Sequence, residues 1–402
     1  MITPFSTLNL VQFFAAINEN LYKLLAAYFI ISILGDLHSN AIMALIGAIF
    51  IIPFLLFSPL GGIFADKWPK SKVTKVTRCL ELSCLLLAIS FFYFKIIIGV
   101  YVVLFLMASL SAVFGPSKYG MIPELMPKEK ILYANSVIAA FTYLGIIIGT
   151  ALPSILIWIS DKDYLVALLV SVCLAIIGLI LSLFLPVTPV ENKQKSVRFF
   201  IYLELFDSLK QMWTIPSLFS AAFAYAYFLF IGGFVQLNII PYTIKNLGLT
   251  DIMGGYFFLV TAFGLGLGSY FTNKICKGKI KLEMIPLSGI SISILLILFK
   301  WFFTPWPIVF VWMFLLGFFG GIFVVPPQAF ILANSPEEDR GRNVATANFF
   351  SFAFALLAAF VLYVFTLLDL HPATNFLIIG IINFFVILAL LYKTRWFLFF
   401  KA

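Results

Sequence analysis

The chain has 402 residues, 63% of them hydrophobic, 18% aromatic and 11% charged, with 26 Lys and Arg against 17 Asp and Glu. Soluble domains average roughly 45–50% apolar and about 25% charged residues, which excludes a soluble globular protein and a disordered chain alike. The formal surplus of +9 then reads first as membrane topology and anionic headgroups, and not as nucleic-acid binding.

A bilayer core about 30 Å thick needs roughly 20 apolar residues at about 1.5 Å per residue. With Gly, Pro and charge clusters as punctuation, twelve spans are predicted, near 9–34, 40–64, 75–94, 97–115, 133–158, 164–185, 214–240, 252–273, 283–302, 306–326, 344–368 and 374–394. All are read as helices, because no barrel-like alternation is visible and lipid demands internally satisfied backbone. Lys95 and Gly99 mark a very short turn between the third and fourth. The longest stretch between spans is 186–213, with Pro186, Pro189 and the polar run Glu191-Asn192-Lys193-Gln194-Lys195. It predicts a cytoplasmic linker between an N-terminal six-helix half, 1–185, and a C-terminal one, 214–402. The halves echo each other: Gly61 to Lys67 after span two resembles Gly268 to Lys274 after span eight, and Pro116, Pro127 and Glu129 have counterparts in Pro326, Pro336 and Glu338. The expected fold class is therefore an all-α membrane protein with two pseudo-symmetric halves, the layout of a rocker-type transporter.

Orientation follows from basic residues. With the N-terminus inside, the inner loops and C-terminal tail hold twenty Lys and Arg, and the outer loops hold Lys95, Lys162, Lys245 and Lys300. Both termini are expected to be cytoplasmic. The first segment lacks a basic n-region, so no cleavable signal is expected. Cys79, Cys84, Cys173 and Cys276 show no metal-like spacing, and His38 and His371 fall in short loops. No metal, cofactor or catalytic constellation is assembled from these residues, and no phosphate-cradling G-x-x-x-x-G-K-[ST] loop is present.

Charge inside a span is the informative exception. In the first span, Asn18-Glu19-Asn20-Leu21-Tyr22-Lys23 places an acid and a base near mid-membrane, at a cost of at least ~2.5–3.5 kcal/mol per charge. Glu19 and Lys23 are helical neighbours in the favoured order, with Gln12 on the same face. They read either as a self-neutralising structural pair or as a site for a zwitterionic headgroup, cationic amine plus anionic phosphate. Arg78 and Glu81 in span three are three residues apart; they read as part of a latch with Asp66 and Lys67, or as a solvated surface pair. Glycine pairs at spacing four, Gly145/Gly149, Gly264/Gly268 and Gly317/Gly321, point to close helix packing.

Four segments carry a resemblance. Gly62-Ile63-Phe64-Ala65-Asp66-Lys67-Trp68-Pro69-Lys70-Ser71-Lys72 resembles the signature loop of the major facilitator superfamily, where the acid caps a helix end and pairs with a cation to latch the cytoplasmic side. Trp68-Pro69 departs from that pattern, and Asn273 replaces the acid in the second copy. Phe114-Gly115-Pro116-Ser117-Lys118-Tyr119-Gly120-Met121-Ile122-Pro123-Glu124-Leu125, continuing to Ala134-Asn135, resembles a segment of bacterial lysophospholipid transporters. Gly320 to Pro326 and the Asn18–Lys23 run match the same family, with Glu19 where its acid is usually Asp. Lys118 and Tyr119 read as substrate contacts or as headgroup-level anchors.

The resemblance implies a major facilitator fold and a monomeric flippase, not an enzyme, in a bacterial inner membrane. It would move lysophosphatidylethanolamine-like lipids from the outer to the inner leaflet, where an acyltransferase/acyl-ACP synthetase reacylates them. Its implied substrate residues are Asn18, Glu19, Asn20, Lys23, Lys118, Tyr119 and Gln236, the last standing where some members carry an arginine that meets phosphate. Asn238 lies about 200° further round that helix, on another face. The alternative function is a proton-coupled exporter or importer of a small molecule, with Glu19 as the protonatable carboxylate.

Overall fold

In lipid a backbone amide has no partner but another backbone group, so a chain this apolar resolves into helix after helix. The computed structural model describes residues 3–35, 39–189, 201–249, 251–301 and 305–399. The centre of the expected linker, 190–200, lies outside the described residues. In chain order the helices are α1 (Pro4–Leu34), α2 (Ser39–Lys67), α3 (Lys70–Tyr93), α4 (Ile97–Gly120), α5 (Ile122–Leu125), α6 (Ile131–Ile159), α7 (Tyr164–Leu183), α8 (Ile201–Thr214), α9 (Pro216–Leu247), α10 (Asp251–Ile275), α11 (Met284–Trp301), α12 (Trp306–Asn334), α13 (Arg340–Leu367) and α14 (Pro372–Phe399). Single 3-10 turns at Lys128–Lys130 and Glu337–Asp339 precede α6 and α13. Among the described residues there is no strand.

Among the described residues, eleven helices are long and apolar enough to cross a membrane. The twelfth, α11, has 18 residues, or about 27 Å of helix, and so just matches the hydrocarbon thickness. The short turn after the third span is Phe94–Ile96, where Lys95 takes a positive φ of 55°. Helix ends follow local chemistry. Thr3 caps α1 through its side chain, Asp163 caps α7 by accepting from the amide of Leu165 at 2.9 Å, and Gly248 closes α9 in the left-handed conformation. Prolines inside α2, α4, α6, α9 and α12 sit where a soluble helix would break; membrane helices tolerate them. One element had no signal that the sequence reading used: within the expected linker 186–213, α8 forms a 14-residue helix.

The chain forms two compact units. The first comprises 1–127, 144–208 and 336–349, and the second 128–143, 209–335 and 350–402. The first unit packs α1, α3, α4 and α7 around Leu21, Leu25, Phe29, Leu85, Val103 and Leu168, with Phe29 stacked on Phe92 at 4.2 Å. In the second, Tyr242, Phe299 and Phe376 form an aromatic knot joining α9, α11 and α14, with centroids 4.7–5.5 Å apart. There α10 and α12 approach so closely that a Cβ at Gly264, Gly268, Gly317 or Gly321 would strike backbone of the facing helix. The spacing-four glycines thus mark backbone contact, as small residues do where lipid offers no hydrophobic drive for helix association.

Candidate functional site

Glu19 and Lys23 form no direct ion pair. Glu19 accepts a hydrogen bond from Ser111 of α4 at 2.9 Å. Lys23 donates to Asn20 Oδ1 at 3.0 Å and lies 4.6 Å from the centre of the Phe50 ring. No ion pair joins the two, and both remain half-buried rather than sealed. Each charge is held by neutral groups, which satisfy its hydrogen-bonding demand without cancelling it. Asn20 spends its amide on the Ala16 carbonyl at 2.9 Å and keeps its oxygen for Lys23. It orients the cation.

A second charged group lies on the neighbouring face of α1. Asn18, 1% exposed, donates to Glu81 Oε1 at 2.7 Å and accepts from Ser171 of α7. Glu81 Oε2 pairs with Arg78, whose guanidinium rests 4.7 Å from the centre of the Phe114 ring. Arg78 and Glu81, expected beside Asp66, make no contact with it among the described residues. Arg78 lies eight residues into α3, about 12 Å along the axis, and its side chain is buried against Glu81 and the Phe114 ring of α4. Lys23, Arg78 and Glu81 all lie close enough to Glu19 to act on it electrostatically. Among the described residues this group holds two acids and two bases, whose formal charges sum to zero.

Asp66 has a different set of partners. It is fully buried at the end of α2 and accepts from the backbone amides of Gly341 at 2.8 Å and Arg342 at 3.2 Å. These are first-turn donors of α13, which have no partner within their own helix and carry the positive end of its dipole. The fit needs glycine twice. A Cβ at Gly341 would collide with the Asp66 carboxylate and lie 2.9 Å from the Gly62 carbonyl, and one at Gly62 would meet Ala345. Lys67 is half-exposed and makes no ion pair among the described residues. Sequence reasoning missed Gly341, because a backbone amide leaves no residue-type signature; the glycine in Arg340-Gly341-Arg342 was the one available hint.

Residues of the Phe114–Leu125 motif make several packing contacts. Lys70, wholly buried at the start of α3, pairs with Glu124 at 2.5 Å. A Cβ at Gly120 would lie 2.8 Å from Cε of that lysine, so Gly120 makes room for the Lys70 stem and Glu124 receives its head. Lys118 and Tyr119 are half-exposed and contact each other, cation over ring at 4.6 Å, and not the Glu19 group. Ser71 and Thr188 exchange backbone-to-hydroxyl bonds of 3.1 and 3.3 Å, which supplies the cap that Pro69 cannot. In the second unit Gln236 is exposed on α9, with no hydrogen-bond partner among the described residues. Asn238 is buried on another face, donating to the Pro372 carbonyl at 2.9 Å and accepting from Asn375 at 3.0 Å.

Apolar helices that keep ionisable side chains half-accessible within their spans point to a membrane transport protein, since packing alone has no use for such groups. The Major Facilitator Superfamily model matches residues 8–299 and 239–396, and the chain belongs to that superfamily. It is similar to the lysophospholipid transporter LplT of Klebsiella pneumoniae, 26% identical over 302 residues, covering 73% of this chain and 70% of the relative. It is 24% identical over 343 residues to LplT of Photorhabdus laumondii, covering 84% and 81%. In fold it matches the E. coli fucose:proton symporter FucP, with TM-score 0.78 at 13% identity over 98% of each chain. It also matches the human organic anion transporter MFSD10, with TM-score 0.78 at 12% identity over 95% and 98%.

Proposed function

We propose that the protein is a lysophospholipid flippase that carries lysophosphatidylethanolamine-like lipids from the outer to the inner leaflet of a bacterial inner membrane. The observation that carries this reading is the separation of Glu19 from Lys23. A carboxylate and an ammonium one helical turn apart, each held by neutral partners, offer complementary charges to a zwitterion. The ligand's ammonium meets Glu19 and its phosphate meets Lys23, as charge-assisted hydrogen bonds. The curated relatives named as lysophospholipid transporters support the cargo class.

The excess of Lys and Arg on one side supports cytoplasmic termini. On that lysine-rich side, Asp66 and the amides of α13 would act as the conformational latch, and an acyltransferase/acyl-ACP synthetase would consume the delivered lipid. A monomer suffices for this job. The test is uptake of labelled lysophosphatidylethanolamine by spheroplasts, with and without an ionophore. Uptake that depends on expression of the protein supports the reading. Absence of uptake, or competition by small polar solutes in place of lysolipids, overturns it.

A further inference from the structure

Arg78 has chemistry left over. Its ion pair with Glu81 engages one terminal nitrogen, and the Phe114 ring covers one face. Yet Nε is buried and has no hydrogen-bond partner, in a side chain only 3% exposed. A buried, charged donor left unmade is costly, and a buried ion pair is itself weak evidence for stability because both ions are desolvated. Glu81, in contrast, is held twice, by Arg78 and by Asn18. If another anion took the Arg78 guanidinium, Glu81 would still keep its hydrogen bond from Asn18.

The cover over Arg78 sits on a weakened turn. Pro116 has no N–H to offer the Ala112 carbonyl, so α4 lacks one rung beside Phe114. Gly115 follows directly, with its nearest neighbour, Asn348 Nδ2, 3.6 Å from where a Cβ would lie. The Phe114 ring is carried between the two residues of that missing rung.

We propose that Arg78 is a second, reserve anion-binding residue: a phosphodiester-type anion displaces Glu81 from the guanidinium once Phe114 moves aside. The planar fork, with Nε available beside a terminal nitrogen, suits two oxygens of one phosphate. The proposal rests on the lysolipid reading and deepens it. A zwitterionic headgroup satisfies Glu19 and Lys23 together. A net-anionic headgroup brings no ammonium to Glu19 and needs a further cation, which Arg78 provides. Arg78 is thus the residue that admits anionic lysolipids such as lysophosphatidylglycerol.

The test measures lysophosphatidylglycerol and lysophosphatidylethanolamine uptake from one mixture and reads their ratio. In the double variant Arg78→Gln/Glu81→Gln the ratio should fall about tenfold, the worth of one charge-assisted bond. Phe114→Leu, which uncovers the guanidinium while keeping the site apolar, should raise the ratio severalfold. An unchanged ratio in both variants overturns the proposal. If the double variant does not accumulate, Phe114→Leu decides alone, and no rise is the refuting result. Competition by inorganic phosphate separates a free anion from a lipid headgroup. Suppression of lysophosphatidylglycerol uptake in the wild type but not in the double variant would assign the site to free phosphate and overturn the lipid assignment. Failure of the lysolipid reading itself looks different, since wild-type protein would then take up neither lipid.

Discussion

Replacing Asp66 by alanine removes two acceptors from the first turn of α13. The carboxylate receives the Gly341 and Arg342 amides at 2.8 and 3.2 Å in a fully buried setting. Loss of a capping side chain costs ~0.5–2 kcal/mol, and a buried anion at a helix N-terminus contributes up to ~2 kcal/mol more. Part of this is offset, because the variant no longer desolvates a carboxylate. A net loss of about 2 kcal/mol is expected, which at about 1.4 kcal/mol per decade is roughly thirtyfold in the opening equilibrium of that turn. Hydrogen exchange reads it directly: amides 341 and 342 should lose protection by about that factor, while amides in the middle of α13 should not. Asp66→Asn keeps one acceptor oxygen and should fall between. Unchanged protection at 341 and 342 in the alanine variant would show that the amides are satisfied elsewhere, and the latch reading would fail with it.

Glu19→Gln and Lys23→Met should each lower lysolipid uptake by about tenfold with membrane accumulation intact. Each variant also leaves the remaining charge without its neighbour of opposite sign; wild-type uptake in either variant would remove that residue from the site. Gln236→Arg should raise uptake of lysophosphatidylglycerol relative to lysophosphatidylethanolamine about fivefold, the effect of exchanging a neutral for a charge-assisted hydrogen bond. An unmoved ratio would place Gln236 outside the headgroup path. Gly317→Val should abolish accumulation, since its side chain would enter the α10 backbone at Thr261, whereas Gly255→Ala, with nothing within 4 Å, should accumulate normally. Equal levels of the two would contradict the close approach of α10 and α12.

Composition alone settled the solvent, and with it the helices. A chain 63% hydrophobic has to satisfy its amides internally, so span positions, interior prolines and helix-facing glycines were readable from spacing. Charges inside spans were equally legible as exceptions, because lipid penalises each one wherever it stands. Their partners were not. Glu19 and Lys23 fall on one helical face, but that Ser111 and Asn20 hold them apart depends on α4 and on side-chain rotamers. Arg78 and Glu81 belong with Asn18 and Ser171, brought together by packing across 63 and 153 residues of separation. Asp66 meets backbone amides 275 and 276 residues away. Helical periodicity orders side chains around one axis, and lipid selects which residues stay apolar, but which axes meet and which amides lie at the meeting point is decided by the packed helices.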